Sequence, residues 1–412
     1  MSRFLCTGDL HIGVGADLGR EPGERLAEQE AVWARVVALA SELDVDAILF
    51  AGDAFEGPIP TPEHYRAFTR PLDGSGIHVY AITGNGRHDA AMRSSTALDV
   101  AHAQQLYVYS QPWVEFNADL PTLALLPWAP VSRIVAAEGG GDRDEINQRV
   151  AAGVVEIARG LYAQACEHDR PKILVAHWSV GSAVTSSGIP VDLFREPVLP
   201  LEDLEAIGFD AIVLGHIHVP QMLNAGPAPI FYVGSPMPLN FGEAASEHCV
   251  WLLDIDREQA SAYKIPVESR PLVQVTLDGQ RSDDERRALE APPGVGPESG
   301  IEALTAALEL VDVGDAIVKV KARGTAEQAR RWDLAGLKRN LEALGAHKVW
   351  QIAPEVERAD VARGVTVDAE ITDHDAMRRW LELNCVTLGI DGDRASDLLD
   401  TFDAYVHEAT AA

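Results

Sequence analysis

Basic residues are scarce in this sequence: 34 lysines and arginines stand against 63 aspartates and glutamates, a formal net charge of −29 at pH 7. A chain of this charge repels a polyanion at long range, which disfavours tight nucleic-acid binding by the chain alone. A nucleic-acid substrate would require local basic groups, bound cations or a partner protein. An acidic surface that only keeps the protein in solution explains the charge equally well.

Cysteines and long apolar segments are also few. The four cysteines include no CxxC pair, which fits reduced thiols and argues against a disulfide framework or a zinc knuckle. No apolar run approaches the roughly 20 residues that span a bilayer. The N-terminus leads directly into a short strand-like run, without the apolar stretch and cleavage site of a signal peptide. We therefore expect a cytoplasmic protein with no membrane association.

Short apolar runs without alternation recur through the first part of the chain, and such runs are typical of strands buried on both faces. Two longer segments between them, residues 24–43 and 147–166, place apolar side chains on one side of a helix. The pattern predicts a layered α/β core in which β-sheets are flanked by helices. The predicted strands are RFLCT (3–7), DAILFA (46–51), HVYAIT (78–83), KILVA (172–176), DAIVL (210–214) and PIFYV (229–233).

Two further strands, residues 248–256 and 261–268, follow each other without a helix and predict an antiparallel pair that closes the first domain. At 412 residues the chain is too long for one compact core. A small α+β cap-like domain is predicted next, interrupted by a polar, Pro/Gly-rich surface loop at 279–300. Its predicted elements are strands at 272–277, 316–323 and 348–352 and helices around 300–310 and 326–344. The predicted domains are 1–268, 269–354 and 355–412.

The last segment holds two amphipathic C-terminal helices, near residues 373–384 and 394–409. The second helix carries its apolar side chains on one stripe. This stripe either packs on its own domain or docks on a partner protein, and the sequence leaves both alternatives open.

The ends of five successive predicted core strands carry side chains that bind metals. Because loops converge at the carboxyl ends of the strands in an α/β sheet, we expect these side chains to meet in one site. Carboxylates, an amide and imidazoles with a shared carboxylate are the ligands that two neighbouring divalent ions require. A single DxH or HxH motif is weak evidence, but five strand ends in register predict a dimetal site. The candidate ligands are Asp9, His11, Asp53, Asn85, His177, His216 and His218.

The motifs GDLHIG, GDAFEG, GN with a nearby His, AHW and GHIH resemble those of the calcineurin-like metallophosphoesterases. Within that family, the spacing and the later segment from Gly234-Ser235-Pro236 to Glu243 are similar to the SbcD-type nuclease subunit of the double-strand-break repair complex. The resemblance covers residues 1–268 well, residues 270–353 loosely, and the tail only by position.

The resemblance implies one metal held by Asp9, His11, Asp53 and His218, and a second held by Asp53, Asn85, His177 and His216, so that Asp53 bridges them. Two cations polarise the phosphoryl oxygens, lower the pKa of the attacking water and stabilise the leaving oxygen. The family most often uses Mn²⁺ for nucleolysis, and the oxygen and nitrogen ligands permit it; Mg²⁺, Fe²⁺ and Zn²⁺ are the alternatives.

One loop departs from the family pattern. In the family a His that helps to protonate the leaving group follows the Asn directly, whereas here Gly86 and Arg87 separate Asn85 from His88. Three alternatives follow: His88 returns to the site with Asp89 fixing its tautomer, Arg87 stabilises charge on the phosphate instead, or the enzyme is weakened or inactive. Glu56 is a smaller departure, because the residue after Phe55 is usually Asp.

The leading hypothesis is a metal-dependent DNA exonuclease or endonuclease subunit that acts in DNA repair or recombination. It would work with an SbcC-like coiled-coil ATPase, docked on the helices after residue 370, and the family's mode of dimerisation makes a homodimer reasonable. The alternatives are a stand-alone phosphoesterase that acts on nucleotides or small phosphoesters, which the acidic surface favours, and a non-catalytic scaffold, which only the altered loop favours.

Overall fold

The structure is a computed structural model that describes residues 1–86, 88–89, 97–129, 142–193, 196–278, 312–325, 329–330, 332–356, 372–388 and 390–410. Arg87, the predicted loop at 279–300 and the predicted helix around 300–310 lie outside the described residues. The chain divides into two compact units. The first comprises Met1–Gln274, Val313–Lys319 and Leu341–Gln351, and the second comprises Val275–Asp312, Val320–Asn340 and Ile352–Ala412. The predicted domain limits at residues 268 and 354 stay a prediction.

The first unit contains two six-stranded sheets. In the first sheet four strands run parallel, and the last two add an antiparallel pair at one edge, as predicted. Its strands are β1 (Ser2–Thr7), β2 (Ala47–Phe50), β3 (Val79–Ile82), β4 (Leu106–Tyr109), β13 (Cys249–Ile255) and β14 (Ala260–Pro266), in the order β14-β13-β1-β2-β3-β4.

The second sheet has four parallel central strands between two antiparallel edge strands. Its strands are β5 (Trp113–Glu115), β6 (Thr122–Leu126), β7 (Lys172–His177), β10 (Ala211–Gly215), β11 (Gln221–Met222) and β12 (Ile230–Tyr232), in the order β11-β12-β10-β7-β6-β5. A separate parallel pair, β8 (Ser179–Val180) and β9 (Val198–Leu199), lies beyond the end of β7. Strands β4, β5 and β6 are absent from the sequence prediction, because they are short and β6 is enclosed by Pro121 and Pro127.

Helices cover the outer faces of the two sheets. They are α1 (Glu24–Glu42), α2 (Pro62–Thr69), α3 (Arg143–Ala165) and α4 (Leu201–Glu205). Apolar side chains of both sheets meet in one fully buried layer, for example Phe4 and Leu49 against Val175 and Val213. A second core joins α1 and α2 to the first sheet, and a third joins α3 to the second sheet. The result is a four-layer α/β/β/α sandwich, which confirms the predicted layered architecture.

The other strands and helices belong to the C-terminal part of the chain, from residue 272 onward. A three-stranded sheet has the order β15-β16-β17. Its strands are β15 (Leu272–Asp278), β16 (Ile317–Gly324) and β17 (Lys348–Val356), and α5 (Leu334–Ala343) lies between the last two in sequence. The C-terminal helices are α6 (Asp373–Leu388) and α7 (Gly392–Thr410), and Nδ1 of His374 lies 2.5 Å from Oδ2 of Asp403 between them. None of the described helices has the length and apolar character that crossing a bilayer would need.

We expect Trp33→Ala to destabilise the first unit by roughly 3–5 kcal/mol. The Trp33 side chain is fully buried on α1, stacks on Phe68 at 5.6 Å and donates its indole N–H to the Phe68 carbonyl at 2.8 Å. Urea unfolding followed by circular dichroism measures the loss. Trp113→Ala is the control, since this indole is 55% exposed. Equal stability of the two variants would contradict this packing.

Candidate dimetal site

The candidate ligands meet where strands of both sheets end. β1, β2 and β3 end at this edge in the first sheet, and β7 and β10 end there in the second. The backbone N–H of His216 donates to Oδ1 of Asp9 at 3.0 Å, and Nδ1 of His177 donates to the carbonyl of Ala51 at 2.6 Å, so hydrogen bonds cross from sheet to sheet. The expectation of five successive core strands is therefore wrong. Strands β4, β5 and β6 come between β3 and β7, strands β8 and β9 come between β7 and β10, and the candidate ligands come from two facing sheets.

The backbone is strained at four of the candidate ligands. Asp9, His11, Asp53 and His216 have φ angles of 47°, 45°, 53° and 96°. Non-glycine residues adopt this left-handed region at a cost of about 1–3 kcal/mol each, and such residues cluster at functional sites. Gly84 permits a further close approach, because a Cβ atom there would overlap the Asp53 carboxylate.

The first group consists of Asp9, His11 and His218, whose ligand atoms all lie within 4.8 Å of one another. Nε2 of His11 lies 3.1 Å from Nε2 of His218. The opposite nitrogens are held by glutamates: Nδ1 of His11 donates to Glu56 at 3.0 Å, and Nδ1 of His218 donates to Glu243 at 2.9 Å. In the neutral rings both Nε2 atoms therefore carry lone pairs that point at each other.

The second group consists of Asp53, His177 and His216, which meet the same 4.8 Å limit. Oδ2 of Asp53 lies 3.3 Å from Nε2 of His177 and 3.6 Å from Nε2 of His11, so this carboxylate belongs to both groups. Asn85 donates to Asp53 through its backbone N–H at 2.8 Å and through Nδ2 at 3.1 Å. A half-turn of the Asn85 amide would present its oxygen in place of Nδ2.

The donor set fits divalent cations. Two facing imidazole lone pairs at 3.1 Å repel each other unless a cation or a proton lies between them. Nε2 of His177 is buried without a well-formed hydrogen bond, although Oδ2 of Asp53 lies 3.3 Å away and Nδ1 of the same ring is satisfied. A buried polar atom without a partner is costly, and a metal ion supplies the partner that these nitrogens lack.

The electrostatics lead to the same conclusion. Burial opposes protonation of His177 and His218, but the neighbouring carboxylates outweigh it and raise the pKa of each to about 9. Burial also opposes ionisation of Asp53, yet the histidines, His177 above all, hold the pKa of that carboxyl well below its usual range. Protons on the histidines thus balance the buried carboxylates in the metal-free chain, and metal binding must displace them.

Three glutamates hold the outer nitrogens of the site histidines. Besides Glu56 and Glu243, Oε1 of Glu196 lies 2.9 Å from Nε2 of His216 and accepts a hydrogen bond from Ser179. Carboxylates in this position fix the tautomer and orientation of a metal-binding imidazole. Sequence reasoning missed Glu196 altogether and gave Glu243 no role. No local motif marks Glu196, because it lies 20 residues from His216 on another loop.

His88 returns to the site in spite of the two-residue insertion. Its ring makes an edge contact with His11 at 4.4 Å, and Nδ1 donates to the Glu56 carbonyl at 2.8 Å. Asp89 does not orient this ring, so that part of the expectation is wrong. The Asp89 carboxylate is buried and accepts from the backbone N–H groups of Ala54, Phe55 and Gly84. Burial, and then Asp53, raise the pKa of Asp89 to about 6.

A further group, Glu24, Glu28 and His347, also brings ligand atoms together. Nε2 of His347 lies 2.9 Å from Oε1 of Glu24, and the guanidinium groups of Arg25 and Arg270 both bind Glu28. The arginines already neutralise this group, which therefore offers no site for an added cation.

A sandwich of two mixed sheets with paired His/Asp groups at the strand ends defines the class of metal-dependent hydrolases with a two-metal centre. Residues 2–220 match the family model of the calcineurin-like phosphoesterases. The chain belongs to the calcineurin-like phosphoesterase family and is a metal-dependent phosphoesterase. The resemblance seen in the sequence motifs is confirmed.

Known proteins refine the comparison. The chain is 28% identical over 285 residues to the SbcD component of the SbcCD nuclease of Escherichia coli K12, covering 64% of this chain and 68% of that protein. It is 28% identical over 292 residues to the Bacillus subtilis protein of the same name, covering 66% and 71%. It is 25% identical over 340 residues to the DNA double-strand break repair protein Mre11 of Haloferax volcanii, covering 79% and 62%.

Glu243→Gln should lower the affinity for Mn²⁺ by roughly 10- to 100-fold, because loss of the carboxylate charge frees the His218 ring to change tautomer and orientation. Isothermal titration with MnCl₂ measures the affinity. The matched control is Glu247→Gln, since Glu247 is exposed and pairs with Lys264 at 2.7 Å. Equal Mn²⁺ affinity in wild type and Glu243→Gln would show that His218 needs no such support.

Proposed function

We propose that this protein is a two-metal phosphodiesterase that cleaves DNA, with Mn²⁺ as its preferred ion. The observation that carries the proposal is the buried Asp53 carboxylate, which faces His11 on one side and His177 on the other. Similarity to proteins named as SbcCD and Mre11 nucleases supports DNA as the substrate. The coarser activity, metal-dependent phosphoester hydrolysis, follows from the family.

In this proposal Asp9, His11, Asp53 and His218 hold one ion, and Asp53, Asn85, His177 and His216 hold the other. When bound, the two cations polarise the phosphoryl group and neutralise the charge that develops on it. The chain's own residues keep the ligand atoms in register. Glu56, Glu196 and Glu243 fix three imidazoles, and the Ala51 carbonyl fixes the fourth.

His88 is the proposed proton carrier for the leaving oxygen. A carbonyl only accepts, so the hydrogen bond to Glu56 fixes the proton on Nδ1 and leaves Nε2 as the nitrogen that exchanges protons. The ring is 22% exposed beside His11, which leaves it open to a substrate. Arg87 is the competing candidate, with a role in stabilising charge on the phosphate.

An SbcC-like coiled-coil ATPase is the proposed partner, docked on the helices after residue 370, and homodimerisation is proposed as well. Apolar side chains remain open to solvent on these helices: Leu383 on α6 is 60% exposed, and Leu398 and Tyr405 on α7 are 37% and 71% exposed. Exposed apolar side chains on amphipathic helices suit a partner that offers an apolar groove.

A small nucleotide or phosphoester is the second candidate substrate. The net charge of −29 favours it, because such a substrate needs no extended basic surface. Assays of linear duplex DNA, single strands, cyclic nucleotides and an aryl phosphodiester under the same conditions separate the two. If the protein hydrolyses cyclic nucleotides and none of the DNA substrates, a small nucleotide and not DNA is its substrate.

Asp53→Asn and His177→Ala should each abolish Mn²⁺-dependent cleavage of linear DNA, because each removes a ligand that the two-metal arrangement requires. A gel assay with end-labelled DNA measures cleavage, and circular dichroism verifies the fold. Asp73→Asn is the control on an exposed carboxylate. Cleavage by either ligand variant at the wild-type rate contradicts the proposed centre, whereas an inactive wild type supports the weakened-enzyme alternative.

His88→Ala should lower kcat for DNA cleavage by on the order of 100-fold or more, the usual contribution of a positioned acid or base. The affinity for Mn²⁺ should fall far less than in the ligand variants, because His88 lies outside the proposed ligand set, although its ring groups with His11 and Asp53 within 4.8 Å. Arg87→Ala tests the competing residue, and His102→Ala serves as a control on an exposed imidazole. A large loss of kcat in Arg87→Ala together with wild-type kcat in His88→Ala would show that Arg87, and not His88, assists the cleavage step.

A further inference from the structure

Strand β6 brings one more side chain to the metal edge. β6 runs parallel to β7, with Leu126 opposite Ala176, so the two strands end side by side. Five other strand ends at this edge supply candidate metal ligands, whereas β6 leads through Pro127 into Trp128. The backbone N–H of Trp128 donates to the carbonyl of Thr83 at 3.2 Å, which ties this position to the end of β3 in the facing sheet.

The Trp128 ring lies beside a candidate metal ligand. Its centroid is 5.6 Å from that of His216 and 4.5 Å from that of Trp178, on which it stacks at an interplanar angle of 19°. Trp178 is fully buried and donates its indole N–H to Pro127 at 3.3 Å. Trp128 itself is half-buried. A rigid support thus holds a partly exposed indole at the rim of the site.

None of the described residues accepts a hydrogen bond from the indole N–H of Trp128. Several tryptophans donate their indole N–H to protein oxygens, as Trp33 does to Phe68, Trp178 to Pro127 and Trp350 to Asp17, whereas the indole N–H of Trp251 is buried without a partner. An indole that is both partly exposed and free to donate suits contact with a ligand.

We propose that Trp128 is a stacking platform for a nucleobase that flanks the scissile phosphate. One sugar separates a phosphate from its base, so a phosphate held beside His216 brings a flanking base next to Trp128. Stacking on an aromatic ring is independent of sequence and contributes without charge. That property matters in a chain with a net charge of −29, which gains little from long-range attraction to DNA. The inference rests on the proposed DNA cleavage.

Packing of Trp128 on Trp178 for stability alone is the competing explanation. The two roles differ in their dependence on the substrate. A structural residue affects every phosphodiester alike, whereas a stacking platform affects only a substrate that carries a base at the cleaved position.

The test uses Trp128→Ala and Trp128→Phe in the full chain with Mn²⁺, with Trp113→Ala as the control on an exposed indole of β5. Each is assayed on a DNA oligonucleotide and on the same oligonucleotide with abasic residues at its cleaved end. On ordinary DNA, Trp128→Ala should raise KM by on the order of tenfold, and Trp128→Phe should retain most of the affinity. On abasic DNA, wild type and Trp128→Ala should have equal KM values.

Equal losses by Trp128→Ala on both substrates, or wild-type KM values on both, would overturn the stacking role and leave the nuclease proposal intact. A wild-type protein that cleaves neither oligonucleotide would instead refute the nuclease proposal, and the stacking role with it. Thermal unfolding of the variants shows whether a substitution destabilises the fold. An increase in KM caused by destabilisation would appear with both substrates.

Discussion

The Asp53 carboxylate is the contact on which the rest of the site depends. It is 1% exposed and lies between two imidazoles that come from facing sheets, His11 after β1 and His177 at the end of β7. A buried carboxylate is tolerated only when cations, protons or donors surround it. The strand ends supply these partners: two donors of Asn85 and two site histidines. The left-handed backbone of Asp53 and the missing side chain of Gly84 are the local conditions that admit this arrangement.

The sequence predicts which candidate ligands the structure brings together, because each follows an apolar run directly and the chemistry of strand ends is local. It does not predict the two facing sheets, since pairing between β1, β7 and their neighbours depends on contacts distant in sequence. The sequence does not predict the role of Glu196 for the same reason, because its partner His216 lies on another loop. The role given to Asp89 failed because adjacency in sequence was taken for contact, while the carboxylate turns inward to the N–H groups of Ala54 and Phe55. The Asn85–His88 insertion shows the opposite case, in which a longer loop still returns its histidine to the site.

Negative charge accumulates both in the candidate metal site and over the whole chain, and in both places it repels further anions. Within the site, Asp9 and Asp53 are buried beside Glu243, and protonated His177 and His218 balance them when metal is absent. Over the whole chain, a charge of −29 opposes the approach of a second anion. Divalent cations held by these ligands would reduce both effects, because they would supply two positive charges where a histidine proton supplies one. Under the proposed function, the metal-free chain would therefore hold DNA less well than the metal-loaded one.

The glutamates that hold the site histidines also explain why the centre tolerates this exchange of protons for metal. Each outer nitrogen keeps its proton and donates it to a carboxylate or carbonyl oxygen, so only the inner nitrogen would change partner. These hydrogen bonds would limit rotation of the imidazoles when a cation enters, whereas the Asn85 amide would have to turn to present its oxygen. Limited reorganisation of the ligands is what preorganised electrostatic catalysis requires. At the rim of the site the ring of Trp128 is supported in a similar way, by stacking on Trp178 and by the backbone hydrogen bond to Thr83.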